Sequence, residues 1–186
     1  MPIVLASASP RRQELLKNAG IEFVMHPANI EEVRLASETP KAFAERMARD
    51  KARAVRELLP NQIVLAADTV VVIDDEVLGK PRDHEDAERM LRLLSGREHR
   101  VISGVCLSDN GFEDVRSETT SVHFSQPTPD EIRAYVESGE PMDKAGAYAI
   151  QGMASRWIDR IEGDYFNVVG LPVDLVWKML REHEIS

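Results

Sequence analysis

A strand-to-helix transition is encoded in residues 5–12, Leu5-Ala6-Ser7-Ala8-Ser9-Pro10-Arg11-Arg12. Ser9 is a favourable N-cap and Pro10 suits the first helical position, so the sequence predicts a helix that starts here. Backbone N–H groups, serine hydroxyls and two guanidinium groups then meet at the positive end of the helix dipole. This combination predicts an anion-binding site, most naturally for a phosphate.

The composition is that of an ordinary globular protein with an excess of acidic residues. Of the 186 residues, 43% are hydrophobic and 30% are charged, which suits a single domain over residues 1–186. A net charge of −9 disfavours non-specific nucleic-acid binding, which needs lysine and arginine to neutralise phosphates. The single Cys106 allows no intrachain disulfide, and neither a signal peptide nor a membrane-spanning run is apparent. We therefore expect a cytoplasmic protein without a membrane or nucleic-acid partner.

Strand and helix patterns alternate along the chain, and a hairpin signal at Asp109-Asn110-Gly111 joins two of the strands. Because crossovers and hairpins are mixed, we expect an α/β fold with a mixed sheet. The predicted strands are 2–6, 21–25, 63–67, 70–73, 99–108, 112–125 and 155–161, and the predicted helices are 10–19, 40–59, 83–95, 129–139 and one from 172 onward. The predicted apolar helix faces include Leu15, Leu16 and Ala19; Phe43, Met47, Val55 and Leu58; and Leu175, Val176, Trp177, Met179 and Leu180.

Asp68-Thr69 interrupts an otherwise apolar stretch, between Ile63–Ala67 and Val70–Ile73. Aspartate is disfavoured within such a run, and a buried carboxylate is costly unless it is paired or bound to a metal. Two interpretations stay open. Asp68 either bonds backbone N–H groups in a turn between two strands, or it holds a divalent cation or takes a proton from water at a strand end.

Two loops also carry polar groups that suit a ligand. Gly79-Lys80-Pro81-Arg82 precedes a helix start, where two cations are unfavourable unless an anion joins them. Asp143–Gly152 is rich in small residues that allow a ligand to approach the backbone, and Gln151 offers an amide for the edge of a base. The alternative for the first loop is a plain surface loop, and the alternative for the second is a tight loop packed against a strand.

Three further polar segments give weaker signals. The segment 163–172 is of the same kind as the second loop, with Asn167 as its predicted polar contact. Glu31-Glu32 and Lys51, each taken alone, are predicted to be solvated charges.

Together these motifs resemble the Maf family of nucleoside triphosphate pyrophosphatases, also called septum-formation-inhibitor-like proteins. The matching segments follow the family's order from one end of the chain to the other. Many members carry Ile-Asp-Glu where this chain has Ile30-Glu31-Glu32, which makes Glu32 the matched acid. The segments are Leu5–Arg12, Ile30–Glu32, Ala67–Thr69, Gly79–Pro81, Leu94–Gly96, Asp143–Gly152 and Asn167–Pro172.

The resemblance implies a fold like that of the inosine triphosphate pyrophosphatases. That fold is a mixed, twisted sheet with flanking helices in two lobes around a deep cleft, and the lobes are not independent domains. The resemblance also implies hydrolysis of a small-molecule nucleoside triphosphate to the monophosphate and pyrophosphate. A divalent cation, Mg²⁺ or Mn²⁺, and a homodimer are expected with it.

Three positions distinguish the subgroups of the family that the chain resembles, and Arg11, Thr69 and Gln151 match those of the dTTP- and UTP-hydrolysing group. The chemistry of the base agrees, because a neutral amide can donate to one group and accept from another on the carbonyl–NH–carbonyl edge of uracil or thymine. A cationic methylated guanine would favour glutamate. The alternatives are a 7-methyl-GTP pyrophosphatase and a non-catalytic, nucleotide-sensing regulator of cell division.

We hypothesise roles in this reaction for several of the polar residues. Asp68 is the general base or holds the metal, and Glu32 helps to hold the cation. The implied catalytic residues are Asp68, Glu32, Lys80 and Arg12, and the implied substrate-binding residues are Ser7, Ser9 and Lys51.

Overall fold

The computed structural model describes residues 2–185, and its secondary structure follows the alternation that the sequence predicts. Within those residues the chain forms one seven-stranded mixed sheet in the order β2-β1-β3-β5-β6-β7, with β4 paired to β3. The strands are β1 (Ile3–Leu5), β2 (Phe23–Met25), β3 (Val64–Ile73), β4 (Glu76–Leu78), β5 (Glu98–Ser108), β6 (Glu113–Phe124) and β7 (Ile158–Glu162). The helices are α1 (Pro10–Asn18), α2 (Pro40–Leu58), α3 (His84–Leu94), α4 (Pro129–Glu137), α5 (Tyr165–Val169) and α6 (Val173–Glu182), with short 3₁₀ helices at Glu140–Asp143, Ala145–Ala147 and Met153–Trp157.

The chain divides into two compact units. The first unit contains the residues up to Thr69, Ser103–Glu118 and the residues from Gly170 onward. The second unit contains Val70–Ile102 and Thr119–Val169. The expected organisation as one domain of two dependent lobes stays a prediction.

The first unit has a parallel arrangement at its centre, since β1 pairs in parallel with both β2 and β3. Helix α2 packs directly on β5 in this unit. A Cβ on Gly104 would lie 2.2 Å from the Ala44 carbonyl oxygen, so only glycine permits this approach. The core beside them consists of Val4, Ala6, Ala48, Ala52, Val55, Val64, Ala66 and Cys106.

The second unit contains α3, α4 and two antiparallel strand pairs. β3 pairs antiparallel with β4, through a turn in which Asp74 and Asp75 have φ values of 49° and 63°. β6 pairs antiparallel with β7. The core of the unit includes Leu91 and Leu94 of α3, and an edge-to-face contact of Tyr135 with Trp157.

Several local predictions are wrong. The runs on either side of Asp68-Thr69 form one continuous strand, β3, so the turn interpretation of Asp68 fails. The last predicted strand starts at Ile158, and residues 155–157 belong to a 3₁₀ helix. Strand β4 and helix α5 have no counterpart in the prediction.

Three residues assigned to buried helix faces are exposed. Ala19 caps the end of α1, where the helix no longer covers the core. Leu58 and Trp177 expose 66% and 47% of their surface. Helical periodicity assigns a residue to a face, but it does not say how far along the helix the neighbouring layer extends.

No helix between residues 2 and 185 combines the length and the apolar character needed to cross a bilayer.

Candidate active site

The start of α1 has the capped geometry that the sequence predicts. The Ser9 hydroxyl accepts the backbone N–H of Arg12 at 3.5 Å, and Pro10 lies in the first turn. The Ser7 hydroxyl accepts the backbone N–H of Ser9 at 3.2 Å, and Ser7 is buried. The two serines therefore order the turn that leads into the helix.

A hydrogen-bond network fixes the Arg12 guanidinium. Nε donates to the Gly170 carbonyl at 2.8 Å, one terminal nitrogen donates to the Ser7 hydroxyl at 3.2 Å, and the other to the Thr69 hydroxyl at 3.1 Å. Burial lowers the pKa of Arg12, the charge of Asp68 opposes that shift, and the neighbouring Arg11 adds to it. These bonds use three of the five N–H groups of a guanidinium, so the side chain keeps donors for an anion.

Ser103 belongs to the same network and is not among the residues that the sequence predicts for the site. Its hydroxyl lies 2.8 Å from the Thr69 hydroxyl, which donates to the Gly170 carbonyl at 3.2 Å. Because the single proton of Thr69 is used on Gly170, Ser103 donates to Thr69. Ser103 is fully buried, and a serine inside the apolar run of β5 was the only available sequence signal. We call Ser7, Arg12, Thr69, Ser103 and Gly170 the Arg12 network.

Asp68 lies in the middle of β3 and is paired with Lys51 of α2. The Lys51 ammonium lies 2.6 Å from Asp68 Oδ1 and 2.6 Å from Glu32 Oε1. Asp68 and Lys51 are largely buried, with 9% and 11% of their side-chain surface exposed, whereas Glu32 exposes 53%. This pairing offsets the cost of a carboxylate inside a strand. We call Glu32, Lys51 and Asp68 the acid–lysine triad.

The prediction that Lys51 and Glu32 are separately solvated charges is wrong, because α2 brings Lys51 to both acids. Each charge looked ordinary in sequence, since its partners lie 19 or 17 positions away along the chain. Only the fold shows that a single ammonium joins Asp68 to Glu32.

The chemistry of the triad fits a divalent cation. No group of three His, Cys, Asp or Glu side chains in the part of the chain described, residues 2–185, forms a metal centre. Mg²⁺, however, is commonly held by one or two carboxylates together with waters and substrate phosphates. Asp68 and Glu32 are the two carboxylates that Lys51 brings together, so they are the candidate ligands for such a cation.

Lys80 is exposed in the second unit, on a loop of residues 79–82 that we call the Lys80 loop. The Gly79 carbonyl accepts the Gly146 N–H at 3.1 Å. The Asp86 carboxylate accepts the Arg82 backbone N–H at 3.1 Å and also pairs with its guanidinium. Hydrogen bonds to Arg82 lower the pKa of Asp86 to about 2. The loop is therefore fixed to α3 through its backbone, while the Lys80 side chain faces solvent.

Gln151 is likewise exposed in the second unit, within residues 149–153, which we call the Gln151 loop. The loop is tight, because the Gly152 N–H donates to the Ala149 carbonyl at 3.0 Å. Gly146, before the loop, has a φ of 70° and leaves no room for a Cβ against Val71. The interpretation of this segment as a packed loop is thus correct, and it leaves the Gln151 amide accessible.

The structure places the predicted site residues in two groups. Lys80 and Gln151 belong to the second unit, and Arg11 is half-buried at the start of α1 in the first unit. The other residues, which the first unit brings together in the capped turn, the Arg12 network and the acid–lysine triad, are Ser7, Ser9, Arg12, Glu32, Lys51, Asp68 and Thr69.

Asn167 does not act as the predicted ligand contact. It is fully buried, and its amide nitrogen lies 3.1 Å from both the Val101 carbonyl and the Thr120 hydroxyl. Its side chain fastens α5 to β5 and β6 within the second unit.

The chain has a mixed α/β fold, in which β3 carries the buried Asp68 and the helices α2 and α1 carry Lys51 and Arg12. Its fold is similar to that of the Staphylococcus aureus Ham1 protein, with a TM-score of 0.54 over 98% of this chain and 100% of the other. At 14% identity this likeness shows the fold alone. The expected mixed α/β architecture is confirmed.

The chain belongs to the Maf-like protein family, which matches residues 2–183. It is 56% identical to a dTTP/UTP pyrophosphatase of Koribacter versatilis, over 97% of this chain and 94% of the relative. It is 52% identical to a dTTP/UTP pyrophosphatase of Syntrophomonas wolfei, over 95% and 94%. A third relative of the same name, from Thermococcus gammatolerans, is 51% identical over 97% and 95%.

Proposed function

We propose that this protein hydrolyses dTTP and UTP, and modified pyrimidine nucleotides of the same type, to the monophosphate and pyrophosphate. The observation that carries the proposal is the adjacency of Asp68 and Thr69 on β3, because it joins the two polar clusters of the first unit. Asp68 binds Lys51, and Thr69 binds Arg12. A carboxylate can activate water for attack on a polyphosphate, and an ammonium and a guanidinium can stabilise the negative charge that develops. The near full-length identity to dTTP/UTP pyrophosphatases supports the same activity.

In the proposed reaction Asp68 takes a proton from water. The water oxygen forms a bond to the α-phosphorus, and the bond from that phosphorus to the oxygen bridging to the β-phosphate breaks. Pyrophosphate leaves with the bridging oxygen and its electron pair. Lys51 orients Asp68 through the 2.6 Å contact, which directs one carboxylate oxygen and leaves the other for water.

Positive side chains stabilise the charge that develops on the leaving group. Arg12 is held rigidly by its network, so it can bind a phosphate without reorganisation. Lys51 and Lys80 are proposed to bind phosphates, and Ser7 and Ser9 to contribute hydroxyl or backbone contacts.

A divalent cation, Mg²⁺ or Mn²⁺, is proposed at Asp68 and Glu32. When bound, it neutralises phosphate charge and polarises the reacting oxygen atoms. Whether Asp68 serves chiefly as base or as ligand, the same carboxylate is indispensable.

Arg11, Thr69 and Gln151 are proposed to select the substrate. The exposed Gln151 amide can donate to a carbonyl and accept from the N–H of a uracil or thymine edge. The homodimer and the cytoplasmic location expected from the resemblance stay predictions.

The test is release of pyrophosphate from a panel of nucleotides by the full-length protein in Mg²⁺ or Mn²⁺. The panel contains dTTP, UTP, 5-methyl-UTP and 7-methyl-GTP. We expect the three pyrimidine nucleotides to have the highest kcat/KM. Preference for 7-methyl-GTP would overturn the assigned substrate, and binding without pyrophosphate release would favour the nucleotide-sensing alternative.

A further inference from the structure

A buried tyrosine and a half-buried glutamate of the second unit hold the backbone on both sides of Gln151. The Tyr135 hydroxyl accepts the Ala149 N–H at 3.3 Å and donates to Glu140 Oε1 at 2.9 Å. The same carboxylate accepts the Met153 N–H at 3.1 Å. Ala149 and Met153 lie two positions before and two positions after Gln151, so one pair of side chains fixes both ends of the Gln151 loop.

The position of the Glu140 carboxylate also explains why residue 152 is glycine. A Cβ on Gly152 would lie 1.9 Å from Glu140 Oε1, a distance that no packing adjustment accommodates without moving the acid. The loop therefore closes around this carboxylate. The acid also stays in place at its own backbone, because Lys144 donates to the Glu140 carbonyl at 2.7 Å.

A purely structural role would make Tyr135 a core residue and no more. Its ring packs edge-to-face on Trp157 at 5.2 Å between centroids, and the residue is fully buried. The hydroxyl is separable from that packing, since it is the hydroxyl that contacts Ala149 and Glu140. Burial raises the pKa of Tyr135, which keeps the group protonated as a donor.

The edges of uracil and guanine explain why the position of this loop matters. Both bases present a carbonyl next to an N–H, so an amide can pair with either one. An amide that pairs only with this shared carbonyl and N–H can distinguish the two bases by their size, and therefore by the place where the amide is held. A Gln151 loop fixed at both ends favours one base size, whereas a loosened loop can move back to admit the larger one.

We propose that Tyr135 and Glu140 are positioning residues that set pyrimidine selectivity by holding the Gln151 loop in place. This inference rests on the proposed function and deepens it, because it names what fixes the selecting side chain.

The experiment compares four variants of the full chain with the wild type. Tyr135→Phe removes the hydroxyl and keeps the ring. Glu140→Ala removes the carboxylate, and Glu140→Gln keeps one acceptor oxygen as the conservative replacement. Glu137→Ala is the matched control, because Glu137 is an exposed glutamate on α4, the helix that carries Tyr135. The readouts are KM and kcat for UTP and GTP, and hydrogen exchange at the loop amides.

We expect Tyr135→Phe and Glu140→Ala to raise the KM for UTP and to lower the UTP-to-GTP ratio of kcat/KM about fivefold, since each removes one or two hydrogen bonds. Exchange at the Ala149 and Met153 amides rises by a similar factor. Glu140→Gln is expected to restore most of the ratio, and Glu137→Ala to leave it at the wild-type value.

Two results would overturn the inference: faster exchange at both amides with an unchanged UTP-to-GTP ratio, or unchanged exchange in both Tyr135→Phe and Glu140→Ala. If Tyr135→Phe does not fold, Glu140→Ala carries the comparison alone. If the wild type releases pyrophosphate from no nucleotide, the proposed function is wrong. The inference is then judged by calorimetric affinities for UTP and GTP in the same variants, where an unchanged ratio contradicts it.

Discussion

The two units hold their candidate functional residues in different ways. In the first unit, side chains bind one another: Arg12 donates to Ser7 and Thr69, and Lys51 joins two acids. In the second unit, buried or half-buried carboxylates bind backbone N–H groups of loops whose own functional side chains face solvent. Asp86 does so for the Lys80 loop and Glu140 for the Gln151 loop.

This difference indicates a division of labour. A side chain bonded to other side chains has one orientation and suits a step that needs fixed geometry. A side chain on a fixed loop keeps its rotamer freedom and suits contacts that vary with the substrate. Substitution of Asp68 or Arg12 in the first unit should therefore reduce turnover of every substrate, while substitutions in the Gln151 loop should change which substrate is preferred.

The largest expected effect is that of Asp68→Asn. The amide cannot take a proton from water and leaves Lys51 with a weaker partner, so kcat for UTP should fall by about 10³-fold. The measurement is pyrophosphate release at saturating UTP and Mg²⁺. Asp50→Asn makes the same chemical change on α2, at a partly exposed ion pair with Arg46, and serves as the control. Activity of Asp68→Asn within a few-fold of the wild type would contradict the account.

A smaller loss is expected for Arg12→Lys. Lysine keeps the charge but cannot bond Gly170, Ser7 and Thr69 together, because its donors are not arranged as a planar fork. The kcat/KM should fall by about 100-fold for UTP and by the same factor for GTP. Arg53→Lys, at a guanidinium that binds Glu113 on the surface, should have little effect. Loss of UTP activity alone would assign Arg12 to selection instead.

The smallest expected effect concerns the stability that Asp86 gives to the second unit. Its pKa in the folded protein is about 2, below the ordinary 3.8, so the carboxylate stabilises the fold above about pH 4. That contribution is lost as the pH falls from 4 through 2. Arg82 is 81% exposed, so solvent screening limits the effect to about 1 kcal/mol.

Chemical denaturation of the wild type and Asp86→Asn at pH 7 and at pH 2.5 measures the contribution of the Asp86 carboxylate to the free energy of unfolding. The difference in the free energy of unfolding between the two proteins should be smaller at the lower pH. Glu85→Gln, at an exposed acid in the first turn of the same helix, is the control. A difference that grows on acidification would contradict the role of Asp86.

Local sequence signals predicted much of the fold. The Ser9 cap, Pro10 and the turn at Asp109 all occur where the sequence places them. Each of these signals acts over a few residues, so the chain nearby is enough to determine it.

Contacts between residues that lie far apart in the sequence could not be predicted from these local signals. The sequence around Asp68 was compatible with a turn, because the residues near it give no sign of its counter-charge. Lys51 supplies that charge from α2. Ser103 and Glu140 were not identified for the same reason. Their significance lies in contacts with Thr69 and Met153, which only the folded chain brings to them.

The central proposal is that Asp68 acts in the reaction itself and that the Gln151 loop selects the base. Parallel measurement of kcat/KM for UTP and 7-methyl-GTP in Asp68→Asn and Gln151→Glu tests it most directly. The account predicts that Asp68→Asn lowers both values by a common factor. It also predicts that Gln151→Glu shifts their ratio at least about tenfold toward 7-methyl-GTP, since a carboxylate favours the cationic base. The proposal would be contradicted if Asp68→Asn changed the ratio of the two kcat/KM values, or if Gln151→Glu lowered both values by the same factor.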